Sequence, residues 1–256
     1  MLDKNSDKNQ IFSYLVESIQ KVFKEDVICF LIHGSIVKGG LIEGFSDLDV
    51  QVFLKESSFD EFDLKIEKCM EIQNLVGTLD VPKIGAQYLQ MYFHNPKNMP
   101  DWYTPPVKGS FKILYGELPK ELDFNVENFK IRMIRSLKGL HSEVRTTIRS
   151  FADCSDKTIY RRTRLIATKI FPIMFSLLSY DLKDPNGIWA KTKFEALDLF
   201  CQKYRDKDIS NYLTEFFNLI QLLAKDHNNL EIMKRAFFVG VEFLKEAARI
   251  GEEIKI

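Results

Sequence analysis

Two stretches of the chain have opposite hydrophobic patterns. Val27-Ile28-Cys29-Phe30-Leu31-Ile32 is an unbroken apolar run rich in β-branched residues, which predicts a buried strand. From Asp47 to Leu54 the pattern alternates: Asp47, Asp49 and Gln51 fall on one face, Leu48, Val50 and Val52 on the other. Around these strands, helical spacing of apolar residues predicts a helix near 9–24, a short one through 36–38 and one over about 60–74, and further strands are expected near 87–93 and 111–116. Past Pro119 the period becomes helical throughout. Asn125 or Asn128 would cap a helix carrying Phe129, Met133, Ile134, Leu137, Leu140 and Val144. Ser155 would cap one carrying Ile159, Leu165, Ile166, Ile170, Ile173 and Met174, with Pro172 as a kink point. Helices over about 188–203, 208–226 and 229–250 complete the series. The expected fold class is therefore α/β plus all-α, with a sheet and flanking helices over 1–120 and an antiparallel helical bundle over 121–256.

The chemistry concentrates between the first two strands. The apolar run ends in His33-Gly34-Ser35, where Gly34 can adopt backbone angles barred to other residues and Ser35 opens a helix whose first N–H groups can face an anion. Asp47 and Asp49, two residues apart on a strand, point the same way and would repel each other without a cation between them. Oxygen ligands on a rigid strand suit Mg²⁺ carried in by a nucleoside triphosphate. Gly39, Gly40 and Gly44 lie between turn and strand, and Lys38 is a further phosphate candidate.

The segment 28–54, carrying Gly34-Ser35 and Asp47-Leu48-Asp49, resembles the DNA polymerase β-type nucleotidyltransferase superfamily. The resemblance implies a nucleotidyltransferase-type mixed sheet in which Gly34 and Ser35 hold the triphosphate. Asp47 and Asp49 would bind divalent ions for in-line attack on the α-phosphorus. It also implies a third carboxylate on a later strand. In the predicted strand 87–93, Tyr88, Gln90 and Tyr92 share a face that contains no acid, so Gln90 occupies the positional equivalent, and an amide cannot act as a base near neutral pH. Asp80 is the nearest acidic alternative. A sheet followed by a helical bundle looks like the aminoglycoside-modifying branch. There Thr192-Lys193-Phe194-Glu195-Ala196 resembles a stretch whose lysine reaches the nucleotide phosphates, so Lys193 inherits that role, with Lys191 beside it. Of the basic cluster Arg161-Arg162-Thr163-Arg164, Arg164 is retained as a phosphate contact.

These resemblances imply transfer of a nucleoside monophosphate from ATP to a hydroxyl of a small-molecule acceptor, aminoglycoside-like if Glu43, Glu56, Asp101, Glu117 and Glu195 converge on it. The alternatives are a toxin-type enzyme acting on protein or tRNA and a catalytically silent nucleotide-binding relative. Homodimerisation is common among such small enzymes.

Composition adds limits. The 36 basic residues balance 36 acidic ones, which argues against a general nucleic-acid surface. The cysteines at 29, 69, 154 and 201 have no metal-site spacing and read as reduced and structural. The polar start and the absence of a long apolar run predict neither a secretory signal nor a membrane span, and hence a cytoplasmic protein. The Pro- and aromatic-rich stretch 94–106 is expected either to face substrate or to pack on its own rings.

Overall fold

The computed structural model describes residues 4–99, 103, 105–122 and 124–254. Two compact units divide the chain, 1–124 and 125–256.

In the first unit, β1 (Val27–His33), β2 (Leu48–Leu54), β3 (Leu89–His94) and β4 (Phe111–Gly116) form one sheet in the order β3-β2-β1-β4. β1 is antiparallel to both β2 and β4, and β2 is parallel to β3. A parallel pair needs a crossover, and α3 (Ile66–Val76) supplies it. α1 (Lys4–Phe23) lies with α3 on one sheet face, where Leu15, Ile19, Phe30, Ile32, Leu48, Val50 and Val52 form the main core. Each such large side chain, once buried, contributes about 1.5–3 kcal/mol. The opposite face has a smaller apolar patch, Cys29, Leu31, Phe53, Tyr103 and Leu122, and it also carries the polar residues of β1, β2 and β3. The alternation in β2 thus sorts acids to one side and aliphatics to the other.

The predicted helix over 60–74 starts later. Asp60 Oδ1 accepts the N–H groups of Phe62 and Asp63, and Phe59 bridges Leu64, so this stretch folds as a capped loop and the helix begins at Ile66. Of the 94–106 stretch, residues 100–102 and 104 lie outside the described residues. Tyr103 is buried against the acid-bearing face.

The second unit is helical. α4 (Val126–Lys138) is capped by the Asn125 side chain, which accepts from Asn128 N–H. The single helix expected from Phe129 to Val144 is two, because the chain turns at Gly139 and resumes as α5 (Leu140–Ala152). α10 (Leu230–Glu253) packs tightly against this turn: a Cβ on Gly251 would fall 2.5 Å from the Leu137 carbonyl oxygen. α6 (Ile159–Ser179) runs through Pro172. Its N-cap position is Thr158, not Ser155, whose carbonyl accepts the N–H groups of Thr158 and Ile159 in the preceding turn. The helix expected over 188–203 is also divided, into a short α7 (Asn186–Trp189) and α8 (Lys193–Lys203). Thr192 causes the break: it exchanges hydrogen bonds with Glu195 in a capping box, a T-x-x-E signal present in the sequence. α9 (Asp208–Leu223) and α10 follow, and α10 packs along α9, α6, α5 and α4 as the central helix.

Candidate functional site

At one end of the sheet, strand register assembles a row of side chains. His33 of β1 pairs with Asp49 of β2, and Asp49 pairs with Gln90 of β3. One step in, Leu31, Gln51 and Tyr92 form the next row on the same face. Asp47 sits just before β2, where the loop leading to it is stapled in place. Ile42 N–H donates to Ser46 Oγ at 3.0 Å, Gln87 N–H to Ser46 O at 2.7 Å, and Leu48 N–H to Tyr88 O at 2.8 Å. Both carboxylates are half-buried. Burial and the charges of Asp49 and Asp47 push the Tyr92 phenol up to about 12, so this hydroxyl stays protonated beside them.

The turn between β1 and α2 (Ser35–Lys38) abuts Asp49. Gly34 has φ 77° and ψ −148°, a region that only glycine occupies readily, and a Cβ there would lie 2.7 Å from Asp49 Oδ2. The Gly34 N–H donates to Ser110 O at 3.1 Å, while the Val37 and Lys38 N–H groups return to Gly34 O. The first two N–H groups of the helix, those of Ser35 and Ile36, have no intrahelical acceptor.

Register and turn geometry bring together Gly34, Ser35, Lys38, Asp47, Asp49 and Gln90. Asp80 is elsewhere. It precedes a short 3₁₀ turn, Val81–Ile84, is exposed, and pairs with Lys83 at 3.8 Å. The strand position beside Asp49 belongs to Gln90. In the second unit, Lys193 opens α8 with its ammonium 4.4 Å above the Phe171 ring. Arg164, half-buried on α6, is two turns from Phe171 on the same helical stripe. Glu195 is held by Thr192 in the capping box, and Asp101 lies outside the described residues.

Strand alternation already placed Gln51 on the acid face, but the sequence reading gave no role to the neutral groups flanking the acids. Gln51 is buried between Tyr103, whose hydroxyl donates to its Oε1 at 3.0 Å, and His33, whose Nε2 lies 3.3 Å from its Nε2. His94 packs edge-on against Tyr103, with centroids 4.9 Å apart. The alternation of β1, which puts Cys29, Leu31 and His33 on the acid face, was the available signal for His33. Burial, then His94 and Lys38, lower the His33 pKa from 6.5 to about 4, and burial does the same for His94. Both imidazoles are therefore neutral in the folded state where the unfolded chain would take up protons. Their contribution to stability is complete above pH 6.5 and is lost as pH falls toward 4, at up to about 1.4 kcal/mol per pH unit for each. The urea midpoint is expected to fall between pH 7 and 4.5, and less steeply in His94→Phe; equal slopes in the two proteins would contradict this assignment.

No group of three or more His, Cys, Asp or Glu able to hold a metal ion occurs among the described residues. Two hard carboxylates beside a backbone turn with spare N–H groups do fit Mg²⁺ that arrives with phosphates and keeps several waters, since that ion is commonly held by one or two carboxylates plus substrate oxygens.

A four-stranded mixed sheet with helices on one face, followed by a helical bundle, defines a nucleotidyltransferase-type fold. Among solved structures, spectinomycin adenyltransferase AAD(9) from Enterococcus faecialis, determined with ATP and spectinomycin, is similar over 93% of this chain and 99% of its own, with a TM-score of 0.52. Identity is 15%, so the likeness is one of fold. No family model and no curated protein matches the chain. No helix among the described residues is long and apolar enough to cross a membrane.

Proposed function

We propose that the protein transfers a nucleoside monophosphate from ATP, taken as its Mg²⁺ complex, to a hydroxyl of a small-molecule acceptor, with release of pyrophosphate. The observation that carries this reading is the contact of the Gly34 turn with Asp49: an anion-accepting backbone and a metal-competent acid pair meet at one point, and a side chain at Gly34 would fill it. Mg²⁺, when bound, neutralises phosphate charge and polarises the α-phosphorus.

The chain's own part is binding and orientation. The Ser35 and Ile36 N–H groups face phosphate oxygens, Asp47 and Asp49 hold the cation, and Lys38 adds positive charge. Gln90 orients an acceptor by hydrogen bonding without taking its proton. The fold likeness to an adenyltransferase with ATP and spectinomycin supports an adenylyl donor and an antibiotic-like acceptor. A second reading, nucleotide binding without turnover, has the Gln90 amide in its favour.

The test is incubation with Mg²⁺ and α-³²P-labelled ATP against hydroxyl acceptors, beginning with aminoglycosides and spectinomycin. Label on an acceptor with one equivalent of pyrophosphate is expected. Nucleotide binding with no transfer to any acceptor would favour the silent reading.

A further inference from the structure

The row His33, Asp49, Gln90 contains one imidazole, and its hydrogen bonds fix where its proton sits. Tyr103 is buried, and its hydroxyl donates to Gln51 Oε1. With its oxygen turned to the phenol, the Gln51 amide presents its NH₂ group to His33 Nε2 at 3.3 Å. An NH₂ group only donates, so Nε2 must accept with its lone pair, and the ring proton is on Nδ1.

His33 is half-buried, Nδ1 has no hydrogen-bond partner among the described residues, and it is not among the polar atoms sealed from solvent. Its strand neighbour on the same face is Asp49, and such antiparallel partners have Cα atoms about 4.5–5.5 Å apart. The residue after it is Gly34, whose backbone turn faces the same carboxylate.

We propose that His33 is a phosphate-contacting residue: its Nδ1–H donates to a non-bridging phosphate oxygen of the nucleotide at Asp49, and Gln51 and Tyr103 hold the ring in that tautomer. The inference rests on the nucleotide reading above and deepens it. Tyr103 and Gln51 act only through His33 and are positioning residues.

The test has two arms. Long-range ¹H–¹⁵N NMR of the free protein reads the His33 tautomer without any nucleotide. Titration with a non-hydrolysable ATP analogue, and separately with tripolyphosphate, both with Mg²⁺, reads the contact. His33→Asn places an amide N–H near the Nδ1 position, whereas His33→Gln places one near Nε2; unfolding transitions of both verify folding.

The expected results are an Nδ1–H tautomer in the wild type and a mixture in Tyr103→Phe. His33→Gln should bind both probes about 10- to 100-fold more weakly, the worth of one hydrogen bond to a charged group, while His33→Asn retains affinity. A wild-type Nε2–H tautomer, or His33→Gln binding tripolyphosphate as tightly as a wild type that binds it, overturns the inference alone. A wild type that binds neither probe overturns the nucleotide reading and the inference with it.

Discussion

Replacing Asp49 by alanine should lower nucleotidyl transfer by about 10²–10³-fold or more, the scale on which loss of one preorganised electrostatic group acts. The reason is position. Asp49 is the central member of the row His33, Asp49, Gln90, and its Oδ2 faces the Gly34 backbone, so no other side chain in the row can supply a negative oxygen at that place. Its neighbours Leu48 and Val50 are fully buried on the other face and would still hold the strand. The unfolding transition of Asp49→Ala should therefore stay within about 1 kcal/mol of the wild type. Transfer assayed alongside unfolding separates the two effects, and near wild-type transfer in a folded Asp49→Ala protein would sink the proposed mechanism.

Gly34→Ala should damage both stability and function, for separable reasons. The backbone angles of 77° and −148° cost a residue with a Cβ about 1–3 kcal/mol. The new methyl group would also sit 2.7 Å from Asp49 Oδ2, so turn and carboxylate must move apart. A displacement of that kind is expected to reduce transfer on the order of 10²-fold. Urea unfolding reads the first effect, and the transfer rate under conditions where the variant remains folded reads the second. A loss of stability with full activity would mean that the turn does not hold the nucleotide.

Much of this arrangement was legible because its determinants are local. The period-two pattern of β2 and the apolar run of β1 are set by which face each residue buries, and the Gly-Ser turn follows from chain direction and backbone freedom. The parts that were not legible depend on distant pairings. Tyr103 meets Gln51 across 52 positions of sequence, and nothing near either residue announces the other. His33 drew notice only as a neighbour of the turn, although its strand phase already placed it on the acid face. Strand pairing decided between Gln90 and Asp80: the crossover through α3 leaves Asp80 on an exposed turn with Lys83 and brings Gln90 beside Asp49. In the helical unit, apolar period alone could not distinguish one helix from two at Gly139, because α4 and α5 both present apolar residues to α10. The Thr192 capping box was readable and would have placed the start of α8 correctly.

Isothermal titration with Mg²⁺ and a non-hydrolysable ATP analogue, wild type against Asp47→Asn/Asp49→Asn, tests most directly whether the acid pair and the Gly34 turn form a nucleotide site. Saturable Mg²⁺-dependent binding by the wild type that disappears in the folded double variant is the predicted result. Failure of the wild type to bind analogues of any of the four nucleoside triphosphates, or equal binding by the double variant, would contradict it.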